Sequence, residues 1–78
     1  MNGKVSIIMP AYNEEEAIGR VLDELFALSL GDMEVIVVDD GSHDGTGEVA
    51  RHRGAKVVRH PYNRGIGAAV RSGIRAAT

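Results

Sequence analysis

Cysteine and tryptophan are absent from this 78-residue sequence, and aromatic residues make up only 4% of it. Without cysteine the chain has neither a disulfide framework nor a thiolate metal site. Small secreted domains usually need such cross-links, so we expect a reducing compartment, the cytoplasm. No apolar run approaches the ~20 residues that span a bilayer, and the chain does not open with a basic segment followed by a long apolar core. The sequence therefore predicts neither a membrane span nor a signal peptide.

Acidic residues are missing after Glu48, and seven of the nine lysines and arginines lie from Arg51 onward. Residues 1–48 thus carry a net charge of −9, and residues 51–78 carry +7. Either the two halves attract each other within the fold, or the basic half faces an anion such as a diphosphate or a lipid phosphate. The length and the apolar content of 44% indicate one small globular domain.

Three runs rich in valine and isoleucine, at residues 4–10, 34–39 and 56–60, are typical of buried strands in a parallel sheet. Helical patterns follow each of them. The order β-α-β-α-β-α, with right-handed crossovers, predicts a three-layer, Rossmann-like α/β unit with a parallel three-stranded sheet. Such a sheet keeps an apolar edge without a neighbour. We therefore expect the chain to be a fragment, or to self-associate through this unfinished sheet.

The helical patterns differ in their apolar faces. The first has one apolar stripe, with Asn13 as its predicted cap and Glu16 completing a capping box. The second spans residues 46–53 and is followed by the stop signal Gly54. The third is predicted to have one apolar face, whose small residues allow close approach to a sheet. This face consists of Ile66, Ala69, Val70, Gly73, Ile74 and Ala77.

Polar residues follow all three predicted strands, at the end of the sheet where open α/β folds bind ligands. Asp39 and Asp40 end the second strand. The carboxylate of Asp40 can accept the ring N–H of uracil or, with both oxygens, the adjacent N–H groups of guanine, or it caps the following turn. Asp39 either caps the following turn or supports that site.

Residues at the other two strand ends each allow two interpretations. Tyr12 covers a base or ribose, or it is a partly exposed packing residue. Glu14 hydrogen-bonds a base or ribose, or it only interacts with the helix dipole. The loop at residues 63–67 offers free N–H groups to a phosphate, or its glycines permit a tight turn.

Histidines and hydroxyl residues do not predict further chemistry. The histidines are scattered over three predicted elements with no cysteine nearby, so a metal site built from them is not expected. No spacing pairs a serine or threonine with a general base. The residues concerned are His43, His52 and His60, together with Ser42, Thr46 and Ser72.

Three segments together resemble one family. They are VSIIMPAYNE at residues 5–14, VVDDGSHDGT at residues 37–46 and NRGIGAAVRSG at residues 63–73. In this order they are similar to the N-terminal part of a family 2 glycosyltransferase with the GT-A fold. The subgroup they resemble transfers sugars to dolichyl or polyprenyl phosphate.

The resemblance implies a nucleotide pocket. The matching positions, with Asp39 in a supporting role, are Pro10, Tyr12, Glu14, Val38, Asp39 and Asp40. The family moves a sugar from a UDP- or GDP-sugar to an acceptor such as polyprenyl or dolichyl phosphate. Mg²⁺ or Mn²⁺ on the diphosphate neutralises the charge that develops on the leaving group. No nucleic-acid partner is implied.

The family's metal-binding Asp-x-Asp follows the third helix and has no counterpart in these 78 residues. We therefore assign no catalytic residue and no metal ligand here. The whole chain, residues 1–78, is interpreted as the N-terminal nucleotide-sugar-binding portion of a glycosyltransferase domain, inactive alone. The complete enzyme is expected at the cytoplasmic face of the membrane. The alternative is a non-catalytic α/β fragment that binds itself or a partner.

Overall fold

The computed structural model of the chain describes residues 4–28 and 31–77. Strands and helices alternate, and they are, in order, β1 (Val5–Ala11), α1 (Glu15–Ala27), β2 (Met33–Asp40), α2 (Thr46–His52), β3 (Lys56–His60) and α3 (Ile66–Ala76). The strands form one sheet in the order β1-β2-β3, and both pairings are parallel. The predicted β-α-β-α-β-α order and parallel sheet are therefore confirmed.

The register of the sheet brings the carboxyl ends of the strands to one edge. Ala11 at the end of β1 pairs with Asp39, and Asp40 at the end of β2 pairs with His60 at the end of β3. Because parallel strands point the same way, the loops that follow all three strands emerge side by side. This edge holds the site described below.

Alternate residues of β2 face two separate cores, as the period of a strand requires. Val35 and Val37 pack with Leu22 of α1 and Ala50 of α2. Ile36 and Val38 lie on the other face. There they pack with α3, mainly through Ala69. The sheet is thus covered on both sides by helices, which explains why its central strand is apolar throughout.

Helix α1 is not capped as the sequence predicted. Its N-cap residue is Glu14, whose side chain makes no cap hydrogen bond, so the predicted Asn13–Glu16 capping box is wrong. Asn13 instead adopts a left-handed backbone conformation with φ of 52°. Its side-chain oxygen accepts a hydrogen bond from the backbone N–H of His43 at 2.9 Å, so it joins two loops rather than capping a helix.

Helix α3 packs on the sheet through its small residues. The side that faces the sheet includes Ala69 and Gly73. A Cβ atom at Gly73 would lie 2.3 Å from Cγ2 of Ile8, so only glycine allows this close approach. The prediction that the large aliphatic residues share this face is wrong, because they would hold the helix away from the sheet. These residues form the exposed α3 stripe: Ile66, Val70 and Ile74, which are 74%, 37% and 59% exposed.

Ion pairs between the acidic and basic halves of the chain support the first interpretation of the charge pattern. Arg53 beyond α2 pairs with Asp23 of α1. Arg59 of β3 lies 3.9 Å from the carboxylate of Asp39 on β2. Within the described ranges, no helix combines the length and apolar character needed to cross a bilayer.

Candidate functional site

Reciprocal hydrogen bonds join the loop after β1 to the loop after β2. The backbone N–H of Asn13 donates to Oγ of Ser42 at 2.9 Å, and the side chain of Asn13 accepts from His43 in return. The backbone N–H of Glu14 donates to Oγ1 of Thr46 at 2.8 Å. These side chains replace the partners that the loop N–H groups would otherwise find in water. The two loops therefore form one connected rim.

The same rim continues into the first turn of α1. The backbone N–H of Glu15 donates to Asp44 at 3.3 Å, and Glu15 accepts from the N–H of Gly45 at 3.1 Å. The hydroxyl of Thr46 donates to Asp44 as well. This hydrogen bond lowers the pKa of the Asp44 carboxyl below its usual value, against a smaller opposing effect of desolvation.

Glycine at position 41 lets the third loop join the other two. Gly41 has φ of +79°, a conformation that residues with a side chain rarely adopt. A Cβ atom there would lie 2.3 Å from the backbone of Tyr62 and Asn63. The loop after β3 therefore rests directly against the loop after β2.

Asp40 is buried at the centre of this junction and accepts three hydrogen bonds. Oδ1 accepts from the backbone N–H of Arg64 at 2.9 Å and contacts Nδ1 of His60 at 2.7 Å. Oδ2 accepts from the N–H of Gly65 at 3.0 Å. Because these two loop N–H groups are used within the protein, the structure favours the tight-turn interpretation of the loop at residues 63–67 over phosphate binding.

The ionised form of Asp40 is favoured by its donors. Desolvation by burial raises the pKa of this carboxyl, but the hydrogen bonds from Arg64, His60 and Gly65 together outweigh it, and the pKa is lowered from its ordinary value of 3.8. The carboxylate is therefore charged at neutral pH, and it acts only as a hydrogen-bond acceptor.

Sequence reasoning missed the chain of contacts behind Asp40. Nε2 of His60 lies 2.7 Å from Oγ of Ser72, and Nδ1 of the same ring contacts Asp40. Spacing along the chain gave no indication of this contact between Ser72 and His60. One signal could have found part of this arrangement. Aligning the valine runs at residues 34–39 and 56–60 places His60 next to Asp40 at the ends of neighbouring strands.

A cavity of about 310 Å³ opens between the three loops. Pro10 and Tyr12 come from the end of β1, Asp40 comes from the end of β2, and Ile66 comes from the start of α3. The full lining consists of Pro10, Ala11, Tyr12, Asp40, Asn63, Gly65 and Ile66. The volume lies at the lower end of the range of small-molecule sites. The structure thus brings Pro10, Tyr12 and Asp40 around one hollow.

The other residues selected from the sequence lie elsewhere. Val38 is fully buried in the core under α3. Asp39 points to the opposite face of the sheet, where Oδ1 accepts from the N–H of Ser42 at 3.1 Å. Within the described part of the chain, Oδ2 of Asp39 has no hydrogen-bond donor. Glu14 lines a second, acidic depression on the far side of the rim, next to Asp44.

The described residues do not form a metal centre. No three His, Asp or Glu side chains in residues 4–28 and 31–77 are placed to hold an ion. The site's chemistry, as far as this part of the chain extends, is that of a binding pocket. It offers one ionised acceptor, one exposed aromatic ring and a partly apolar wall.

The family model described as Glycosyl transferase family 2 matches residues 6–78. The chain belongs to this family. The dolichyl-phosphate hexose transferase of Haloferax volcanii is 42% identical over 72 residues, which cover 92% of this chain and 31% of that protein. The chain spans between 22% and 31% of the length of three curated relatives that it matches.

Solved structures of glycosyltransferases share the fold. A mannosyltransferase from Pyrobaculum calidifontis, in complex with GDP-Man and Mn²⁺, superposes with a TM-score of 0.87 at 31% identity. The match covers 95% of this chain and 24% of the mannosyltransferase chain. Glucosyl-3-phosphoglycerate synthase from Mycobacterium tuberculosis, in complex with Mn²⁺, UDP-Glc and phosphoglyceric acid, superposes with a TM-score of 0.81 at 35% identity. The match covers 96% of this chain and 30% of the synthase chain. The family 2 resemblance and the GT-A fold are thus confirmed.

Proposed function

We propose that the cavity between the three loops binds the nucleoside part of a nucleotide-sugar donor. The observation that carries this proposal is the convergence of Tyr12 and the buried, ionised Asp40 on one hollow at the carboxyl ends of β1 and β2. Tyr12 offers an aromatic surface to a base or ribose, and Asp40 accepts a ring N–H. Neighbours of the same fold bind GDP-Man and UDP-Glc, which supports a donor of this class.

In the complete enzyme, the donor's sugar is transferred to an acceptor such as dolichyl or polyprenyl phosphate. The name of the Haloferax volcanii relative supports this acceptor. Because an acceptor of this kind lies in a membrane, we expect the complete enzyme to act at a membrane face. The role of residues 1–78 is donor recognition as the N-terminal portion of the glycosyltransferase domain, and we expect this portion to be inactive alone.

Metal chemistry has no assigned place in the described residues. Two solved neighbours contain Mn²⁺ beside their nucleotide sugars, which supports a divalent cation, Mg²⁺ or Mn²⁺, in the complete enzyme. The described residues lack a group that fits such an ion. Nucleotide binding by this chain should therefore depend little on added Mg²⁺ or Mn²⁺.

A titration of the chain with UDP and with GDP, followed by backbone amide chemical shifts, tests the proposal. We expect shifts at Tyr12, Asp40 and Gly65 at millimolar nucleotide. Tyr12→Ala should weaken binding about tenfold, since an aromatic contact contributes on the order of 1 kcal/mol beyond its buried area.

Tyr62→Ala is the matched control for this titration. Tyr62 is also an exposed tyrosine, but it does not line the cavity. Its removal should leave the affinity for both nucleotides unchanged. Equal losses in the two tyrosine variants, or no shifts at all in the folded chain, would count against the proposed site.

A second candidate function is self-association, with a second copy of the chain as the partner. Among the described residues β1 pairs only with β2, so its outer edge has no neighbouring strand. The exposed α3 stripe adds an apolar surface on a helix that packs beside that edge. Edges and apolar faces of this kind associate readily in water.

A further inference from the structure

Hydrogen bonds within the protein limit the number of acceptor positions on the Asp40 carboxylate that remain for a base. An ionised carboxylate has two oxygens with about four acceptor positions. Oδ1 already has two partners, Nδ1 of His60 and the N–H of Arg64. Among the described residues Oδ2 has a single donor, the N–H of Gly65. One acceptor position therefore remains, and it belongs to Oδ2.

His60 is held so that it must donate to Asp40. A carboxylate only accepts, so the short contact at 2.7 Å requires a proton on Nδ1. In the neutral ring Nε2 is then an acceptor, and the Ser72 hydroxyl lies 2.7 Å away to donate to it. His60 is buried between these two partners. Its ring therefore occupies Oδ1 as part of a buried hydrogen-bond network rather than as a surface contact.

Uracil and guanine make different demands on such a carboxylate. Uracil presents a single ring N–H between two carbonyl groups, and one acceptor satisfies it. Guanine presents a ring N–H and an adjacent amino N–H, which together need both oxygens of one carboxylate. With Oδ1 occupied, one of the two guanine N–H groups has no acceptor on this carboxylate, and a donor left unpaired on binding is costly.

We propose that His60 is a specificity-determining residue of this site, which favours uracil over guanine by occupying one oxygen of Asp40. The inference rests on the proposed nucleotide-binding function and narrows its donor class to UDP-sugars. His60 acts through Asp40 and does not itself line the cavity. Ser72 assists by fixing which ring nitrogen carries the proton.

Binding of UDP and GDP to the 78-residue chain, measured by calorimetry, tests the inference. We expect UDP to bind about tenfold more tightly than GDP, since one unpaired donor costs on the order of a factor of ten. His60→Leu frees the second acceptor position and should reduce this preference about tenfold. His60→Asn keeps an N–H close to the position of Nδ1 and should restore the preference.

His52→Leu is the matched control, because it removes an exposed histidine of α2 that does not line the cavity. It should leave the UDP-to-GDP ratio unchanged. A wild-type chain that binds GDP as tightly as UDP, or a ratio that His60→Leu does not alter, overturns the inference while leaving the nucleotide site intact. Failure of both nucleotides to bind the folded chain overturns the proposed function and this inference together.

The tautomer of His60 gives a readout that needs neither a variant nor a ligand. Long-range ¹⁵N–¹H spectra of the wild-type chain should show a proton on Nδ1 and, in the neutral ring, none on Nε2. This measurement keeps the inference testable if His60→Leu does not fold. A neutral ring protonated on Nε2 alone would contradict it, because Oδ1 of Asp40 would then be open to the base.

Discussion

Asp40 links residues that are far apart in the chain. Its carboxylate receives donors from His60, Arg64 and Gly65, between 20 and 25 positions away. Because these donors favour the ionised form, the stabilisation that Asp40 provides is greatest while its carboxylate is ionised. The residue that is proposed to contact the base therefore also closes the loop after β3 onto the sheet.

Acid should weaken the fold through Asp40. Its pKa is lowered in the folded chain, so its stabilising contribution is fully present above the ordinary value of 3.8 and is lost as the pH falls through the lower, folded value. Asp40→Asn should cost about 1–3 kcal/mol of unfolding free energy at pH 7, because an amide cannot accept from all three donors. Urea unfolding of the wild type and the variant at a series of pH values measures the acid sensitivity and the cost of the substitution.

The difference in unfolding free energy between wild type and Asp40→Asn should narrow as the pH drops below about 4. Asp44 also has a lowered pKa, so some acid sensitivity should remain in the variant. A difference that stays constant from pH 7 to pH 2.5 would show that the Asp40 carboxylate is not the group that titrates.

The hydrogen-bond partners of individual residues were the hardest feature to predict. The sequence identified Asp40 and Tyr12 because turn residues follow strands at those positions. It gave no sign that Asn13 would bind another loop or that His60 would contact Ser72, because hydrogen bonds between distant segments leave no local pattern. Only the strand register, once known, places Asp40 beside His60.

Elements pack according to the size of the side chains between them, and α3 shows this most clearly. Gly73 lies against Ile8 with no room for a Cβ atom. Gly73→Ala should therefore cost about 1–3 kcal/mol of unfolding free energy through overpacking. Thermal or urea unfolding monitored by circular dichroism measures the loss.

Gly67→Ala on the same helix is the matched control. A Cβ there would meet only Nη1 of Arg71 at 3.5 Å, an ordinary van der Waals distance. Alanine is the better helix former, so this variant should be at least as stable as the wild type. If both variants were equally stable, the close approach of α3 to β1 would not exist in solution.

The apolar pattern of α3 predicted a helix but not its orientation. Its large aliphatic residues lie on one arc of the helix and its small residues on the adjoining arc, so either arc could face the sheet. Backbone proximity to the sheet decided between them, and this is a property of the packed molecule rather than of the helix. For β2 the same question did not arise, because both faces of that strand are apolar and both are buried.

The whole molecule was predictable because its strands carry strong signals. Continuous valine and isoleucine runs separated by helical patterns leave few alternatives to a parallel sheet. The same topology predicted a ligand site at the carboxyl ends of the strands, and the structure has a cavity there. Donor recognition is the role proposed for this chain, and the three relatives compared are larger proteins of which it matches less than a third.

Measured alone, the chain should self-associate. Sedimentation velocity over a range of concentrations should show dimers or larger species increasing with concentration. Ile74→Lys places a charge in the α3 stripe and should shift the population toward monomer. Leu28→Lys, at an exposed aliphatic residue after α1, is the matched control and should have little effect. A monomer at all concentrations would rule out the second candidate function.

The connected rim formed by Asn13, Glu14, Ser42 and Thr46 has a thermodynamic consequence for ligand capture. Loops that are already ordered lose little conformational entropy when a small molecule arrives, so more of the interaction energy appears as affinity. Binding of the proposed donor would then require little rearrangement of these loops, because their conformational entropy is already lost when the polypeptide folds.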